Sequence, residues 1–324
     1  MKIRLLSARD VRLALPPRVA LEAAREAFCQ LAEGQAELPL RAALQTANGV
    51  MLFMQGHLPQ TGALAQKIVG VFPGNPALGL STINGLVLVF DATTGLPRAV
   101  LEGRALTAIR TGAASALATD LLARAEPRVL ALFGAGGQAY DQVLGVCAVR
   151  NIEDIRIISA GGAHCAELAA RLRAEGFPAR NVATAAEALR GADVVCCATT
   201  SREPLFDDAD LAPGAHINAV GAYTPEMCEV PPATVLRVRI VIDQAEAART
   251  EAGDLLQPLS AGLLDESCFS VTLGDLVTNR AVGRTSAEQI TLFKSVGLAV
   301  QDLTAAARAV AIAETQNLGQ IIEL

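Results

Sequence analysis

The run Val129-Leu130-Ala131-Leu132-Phe133-Gly134-Ala135-Gly136-Gly137-Gln138-Ala139 constrains this chain more than any other stretch. Five apolar residues without a charge read as a buried parallel strand. The glycines behind them permit a turn tight enough to bring backbone N–H groups against a pyrophosphate at a helix start. Gly134, Gly136 and Ala139 fit G-x-G-x-x-G/A, whose last position needs a small side chain so that helix and strand can close. That spacing alone is a weak signal, and a glycine-rich turn without a nucleotide is the other reading. The surroundings strengthen it: an amphipathic stretch at 140–149 and a second strand at 155–159 complete a βαβ unit.

From residue 129 on, strand and helix alternate. A helix at 163–174, a short strand near 181–183, a helix at 185–189 and strands at 194–198, 215–220 and 238–242 predict a Rossmann-type doubly wound parallel sheet, whose ligands sit beyond the carboxyl ends of its strands. The earlier part is built differently. Pro16-Pro17 starts a helix that Gly34 ends, and strand candidates follow at 50–54, 63–71, 83–90 and 99–101 with turns and no helices between them. That pattern predicts an α+β lobe with an antiparallel or mixed sheet, and a small-residue helix at 107–123 leads out of it. The end of the chain, a strand at 289–294 and an alanine-rich helix at 297–314, carries no further βα unit and is assigned back to the first lobe. The expected division is a discontinuous α+β domain of residues 1–124 and 296–324 around a dinucleotide-binding domain of residues 125–295.

A chain of 324 residues, 52% hydrophobic and 19% charged, has enough apolar material for two cores and is not a disordered chain. Its formal charge of -6, with no basic run, argues against nucleic acid or an anionic membrane as partner, which leaves a small metabolite. Seven scattered cysteines without metal-type spacing read as reduced thiols. The first ten residues interrupt their apolar positions with charges, unlike a signal peptide, and no apolar run reaches the roughly 20 residues of a membrane span, so a soluble cytoplasmic protein is expected. His57, His164 and His216 share no metal spacing, and no metal site is expected. His216 is expected to pack near a strand start and His57 to sit in a loop beside Gly56.

Three cations stand out. Lys67 lies inside the otherwise apolar strand 63–71, a costly position unless an anion pairs with it, so it is a candidate for binding a substrate carboxylate; an edge-strand lysine in water is the plainer alternative. Arg110 is the one charge in Leu106-Thr107-Ala108-Ile109-Arg110-Thr111-Gly112-Ala113-Ala114, and Arg41 closes Leu38-Pro39-Leu40-Arg41 just before the strands. Two guanidinium groups and an ammonium suit a small carboxylic acid, although each arginine taken alone could form a surface ion pair.

With these segments in view the chain resembles the ornithine cyclodeaminase and mu-crystallin family over essentially its whole length. The resemblance runs through residues 67–75, Thr93-Thr94-Gly95-Leu96-Pro97, 106–114, 134–139 and Ile217-Asn218-Ala219-Val220-Gly221-Ala222. It implies a homodimer, a substrate-binding and dimerisation lobe made from both chain ends, and a central lobe holding NAD or NADP. By position it gives Arg41, Lys67 and Arg110 to the substrate carboxylate and places Thr82 beside the nicotinamide. It gives the cofactor Thr111, Gly134, Gly136, Gln138, Ala139, Ser159, Thr199, Val220, Gly221 and Gly297. Gly297 and Asp302 resemble the family segment that returns to the active site; a helix start carrying a surface aspartate is the other reading.

Tyr223 departs from the family's deaminating members, which resemble one another in having an aspartate there to handle amino-group protons. A phenol with an ordinary pKa near 10 is a poor base at neutral pH but can donate a proton or a hydrogen bond. Glu226 or Glu229 could stand in for the carboxylate, and Tyr223 could equally be a wall of the pocket. The segment Ser159-Ala160-Gly161-Gly162 offers no acid to repel a 2′-phosphate, and Ser159 could hydrogen-bond to one, which favours NADPH. The expected activity is NAD(P)H-dependent reduction of Δ1-pyrroline-2-carboxylate or Δ1-piperideine-2-carboxylate, with Lys67, Arg110 and Tyr223 as catalytic candidates. The alternatives are an ornithine cyclodeaminase, an alanine dehydrogenase-like enzyme, and a ligand-holding protein like mu-crystallin.

Overall fold

Charges and turn residues divide the apolar runs into fourteen strands that form two seven-stranded sheets. The computed structural model describes residues 1–324, the side chain of Ala163 excepted. The chain separates into two compact units, Met1–Arg110 with Ala299–Leu324, and Thr111–Leu298.

The first unit holds β1 (Lys2–Leu6), β2 (Ala42–Gln45), β3 (Val50–Leu58), β4 (Ala63–Val71), β5 (Ile83–Asp91), β6 (Pro97–Glu102) and β14 (Gln320–Glu323), in the order β14-β1-β6-β5-β4-β3-β2. β1 runs parallel to β6 and antiparallel to β14, and the remaining pairs are antiparallel, so the sheet is mixed. Along β4 the alternation of a half-buried strand puts Ala63, Ala65 and Lys67 on the covered face and Leu64, Gln66 and Ile68 on the other. The helix Ala299–Gln316 packs on β3, β4 and β5, and the helix Pro17–Ala32 packs on that helix in turn. Pro17 takes the first helical position, where its missing N–H costs nothing, and Ala20, Ala24, Ala27 and Phe28 form the buried stripe.

The second unit is a doubly wound parallel sheet. Its strands are β7 (Val129–Phe133), β8 (Asp154–Ile158), β9 (Ala179–Asn181), β10 (Val194–Cys197), β11 (His216–Ala219), β12 (Arg239–Ile242) and β13 (Thr291–Lys294), in the order β12-β13-β11-β10-β7-β8-β9. The chain proceeds outward through β8 and β9, then returns to β10 on the far side of β7. The order therefore reverses between β7 and β10, the kind of crevice in which open α/β sheets take ligands. Leu130, Leu132, Val143, Ile155, Ile157 and Leu172 form one of the buried clusters behind these strands.

Three expectations need correction. The strand at the end of the chain, β13, belongs to the second sheet, hydrogen-bonded between β11 and β12, because all four of its residues are buried and need a parallel neighbour on each side. Only the helix beyond it, Ala299–Gln316, belongs to the first unit. His57 lies on β3, not in a loop, beside the Glu37 carboxylate. The short strands β1, β2 and β14 escaped the pattern because they are interrupted by charges or carry no alternating burial. His216 does start a strand, fully buried and bonded to Thr291 and Asn218.

Within the second unit the part of the helix Gly103–Leu122 from Thr111 on touches the helix Ala139–Val149 backbone to backbone. A Cβ at Gly112 would lie 2.2 Å from the Asp141 carbonyl oxygen, and one at Gly145 would lie 2.3 Å from the Gly112 carbonyl oxygen. Gly112→Ala is therefore expected to lower unfolding stability by about 1–3 kcal/mol as the helices are forced apart, seen as a lower urea midpoint; an unchanged midpoint would contradict this contact.

Candidate active site

β4 carries Lys67 into an apolar cross-strand row made by Met54, Val87 and Leu101, all of them buried. An ammonium there must find an anion, and it does: Lys67 Nζ lies 2.6 Å from Oδ2 of Asp302. The other carboxylate oxygen, Oδ1, accepts from Arg110 Nε at 3.0 Å, while Arg110 Nη1 donates to Gln301 Oε1 at 2.7 Å. Lys67, Arg110 and Asp302 are 3%, 7% and 0% exposed. Burial pushes the Lys67 ammonium down to about 8; the Asp302 carboxylate opposes the fall, and the guanidinium groups of Arg110 and Arg41 add to it.

The three predicted cations thus share one electrostatic neighbourhood in the first unit. Lys67 and Arg110 meet on a common carboxylate, and Arg41, half-buried ahead of β2, is near enough for its charge to act on Lys67. One carboxylate against three cations leaves the cluster net positive, so it retains attraction for a further acid. The first anion beside Lys67 is nevertheless a side chain of the protein, Asp302. Asp302 is buried in the helix Ala299–Gln316 and is no surface acid. Its signal in the sequence was a single charge among the apolar residues Val300, Leu303, Ala305 and Ala306. Thr82 lies half-buried ahead of β5, with its carbonyl accepting from Phe72 N–H at 2.8 Å.

In the second unit the predicted cofactor residues gather at one edge of the sheet. Gly134 follows β7, Ser159 follows β8, Thr199 lies just past β10, Val220 and Gly221 follow β11, and Gly297 lies just past β13. Gly134 has φ +106, and a Cβ there would meet the Ala198 carbonyl oxygen at 2.6 Å, so the turns after β7 and β10 come together only around a glycine. Gly136 and Gly137 face open space where a side chain would stand. The helix Ala139–Val149 begins at Gln138 without a side-chain cap, and Gln138 Oε1 is buried without a partner. Open glycines and uncapped N–H donors fit the pyrophosphate of a dinucleotide. Thr111 is buried in the long helix. Among the described residues no group of three His, Cys, Asp or Glu side chains could hold a metal ion.

The loop that carries Tyr223 is held by Glu229 and by two groups the sequence did not single out, Asp254 and Lys294. Glu229, fully buried, accepts from Thr199 N–H at 2.6 Å and its hydroxyl at 2.8 Å, and from the N–H groups of Gly221 and Ala222 at 2.8 and 3.0 Å. Tyr223 itself is half-buried, and Glu226 is exposed. Lys294 and Asp254, both buried, form an ion pair at 2.8 Å beneath this loop. Their signal was again a charge set inside an apolar run, as in Leu292-Phe293-Lys294-Ser295-Val296.

The model of the ornithine cyclodeaminase/mu-crystallin family matches residues 2–315. The chain belongs to this family. The Δ1-pyrroline-2-carboxylate reductase of Bacillus cereus is 38% identical over 289 residues, covering 88% of this chain and 89% of that protein. Among solved structures, Thermococcus litoralis Δ1-pyrroline-2-carboxylate reductase in complex with NADH and L-proline has a TM-score of 0.94 at 35% identity, covering 98% of this chain and 99% of that one. An archaeal alanine dehydrogenase dimer with bound NAD has a TM-score of 0.93 at 31% identity over 100% of both chains.

Asp302→Asn leaves two cations buried without their carboxylate. The variant is expected to lose about 3–5 kcal/mol of unfolding stability at neutral pH, measured by urea denaturation; a midpoint equal to the wild type would show that the ion pairs do not hold this unit together.

Proposed function

We propose that the protein is an NAD(P)H-dependent reductase of small cyclic ketimine carboxylates, with Δ1-pyrroline-2-carboxylate reduced to L-proline as its main reaction. The observation that carries this reading is the buried, net positive cluster of Lys67, Arg110 and Arg41 around Asp302. The family membership and the two similar reductases support the same substrate class.

The guanidinium groups of Arg110 and Arg41 bind the substrate carboxylate and fix the plane of the ring. The second unit holds the dinucleotide through Gly134, Gly136, Gln138 and Ala139 at its pyrophosphate and through Ser159, Thr199, Val220, Gly221 and Gly297 along the strand ends, with Thr111 as a further contact; Thr82, in the first unit, is a substrate contact. When bound, the reduced nicotinamide supplies a hydride for the imine carbon. Lys67, still an ammonium at neutral pH, gives the proton that the imine nitrogen gains, and Asp302 keeps that ammonium charged in an apolar setting. The electron pair of the C=N bond thus ends on nitrogen as a new N–H, and the product is a cyclic amino acid. Tyr223 closes the site or holds a water beside the nitrogen.

A deaminase reading is weaker. Position 223 carries a phenol, Glu229 has its carboxylate filled by four donors, and Glu226 points its charge to solvent, so no carboxylate on this loop is free to take protons from an ammonium. The absence of an acid at 159–162 favours NADPH over NADH. A homodimer is supported by the second face of the first sheet, where Phe53, Ile68 and Leu86 form one apolar row and Leu86 and Leu44 are 50% and 59% exposed. A cytoplasmic location is supported by cysteines that are all free thiols.

Purified protein given NADPH or NADH with Δ1-pyrroline-2-carboxylate or Δ1-piperideine-2-carboxylate is expected to consume the reduced cofactor, followed at its absorbance band. Ammonia released from L-ornithine with NAD, or consumption only with pyruvate and ammonia, would replace this function with the deaminase or the alanine dehydrogenase. In the pH profile, kcat/KM is expected to fall as pH rises through about 8, where Lys67 loses its proton in the free enzyme. Lys67→Arg should lack that limb, and a limb unchanged in the variant would remove Lys67 as the proton donor.

A further inference from the structure

The loops after β10 and β11 leave the sheet ladder at Cys197 and Ala219, so the amides beyond them need other acceptors. Val220 N–H still reaches the Cys197 carbonyl. Those of Thr199, Gly221 and Ala222 all end on one carboxylate, that of Glu229. Each of its oxygens takes two donors, which fills the acceptor capacity of an ionised carboxylate and leaves none for a substrate proton.

Two further buried groups hold that carboxylate in place. Asp254 Oδ1 accepts from the N–H groups of Glu229 at 2.6 Å and Val230 at 2.9 Å. Lys294 pairs with Asp254 Oδ2 and also donates to the Ala222 carbonyl. The peptide groups flanking Ala222 are therefore gripped on both sides, the N–H by Glu229 and the C=O by Lys294, one residue before Tyr223. The fit is tight: a Cβ at Gly221 would lie 2.2 Å from Thr199 O and 2.5 Å from Glu229 Oε1. An apolar residue in place of Glu229 would leave these amides without acceptors, so the charged set holds the loop backbone in one arrangement.

We propose that Glu229 is a positioning residue which, seated by Asp254 and Lys294, fixes the rim formed by Thr199, Gly221 and Ala222 before any ligand arrives, and with it the backbone leading into Tyr223. The proposal rests on the reading of this sheet edge as the dinucleotide site. Glu229→Gln is the direct probe, because its amide turns one acceptor into a donor facing N–H groups. In the variant without ligand, hydrogen exchange at the amides of Thr199, Gly221 and Ala222 is expected to quicken roughly a hundredfold. The Kd for NADH, read by its fluorescence, is expected to rise about tenfold. Asp208→Ala serves as the control: it removes contacts to Thr234 and Arg237 away from this loop, and it should lower Tm while leaving both readouts unchanged.

A Glu229→Gln protein with lowered Tm but unchanged exchange and Kd overturns the proposal, since that is what a purely structural role predicts. If the variant does not fold, the wild type decides: its three amides are expected to exchange at least about a hundredfold more slowly than the exposed amide of Arg202, and equal rates overturn the clamp. Protected amides in a wild type that binds neither NADPH nor NADH would support the clamp and overturn the cofactor reading instead.

Discussion

A lysine in the middle of an apolar row of a sheet cannot stay charged without a carboxylate, and here the carboxylate comes from the last long helix of the chain. Asp302 meets Lys67 and Arg110 at once, and it lies 192 residues beyond Arg110 in sequence. That one bridging acid explains why the first unit is discontinuous. The strands that carry Lys67 are incomplete until the helix Ala299–Gln316 returns to cover them, and the pairing that makes the cations tolerable is the pairing that docks the helix. It also sets the chemistry of the cluster, because a single acid among several cations neutralises part of their charge and leaves the rest to attract a ligand.

The second unit uses carboxylates for a different purpose. Where strands end and their amides lose ladder partners, a buried acid takes them. Glu229 does so after β10 and β11, and Asp243 does so after β13, accepting from Ser295 Oγ at 2.9 Å, Val296 N–H at 2.7 Å and Gly297 N–H at 2.9 Å. The opposite edge has its own: Asp193 accepts from the N–H groups of Arg128 at 2.7 Å and Val129 at 2.9 Å where β7 begins. Rigid loop ends at the carboxyl edge favour a ligand that must be held in register, since less freedom is left to be lost on binding.

Much of this organisation was legible in the order of residues. The run into Gly134 announced a strand, a tight turn and a helix, and the alternation after it announced the parallel sheet, because both rest on local periodicity and on glycine's freedom at φ +106. Lys67 and Arg110 stood out for the same kind of local reason, a charge where the pattern is apolar. What stayed hidden was pairing at a distance. Nothing near position 302 says that its acid faces Lys67, and nothing near position 229 says that four donors, two from its own loop and two from Thr199 after β10, converge there. The place of β13 was missed because sheet membership of a four-residue strand is decided by its neighbours and not by its own sequence. Short edge strands such as β14, mostly exposed, left no periodic trace at all.

The split first unit also bears on how the chain is made. During synthesis a protein emerges from its amino terminus, and units tend to fold as they become complete. The second unit is continuous from Thr111 to Leu298, and Asp302 and β14 follow it in the chain. The lobe whose first strands appear earliest is thus completed after the other, and until Asp302 and β14 arrive its β1–β6 sheet waits with an uncompensated lysine and an unpaired edge at β1.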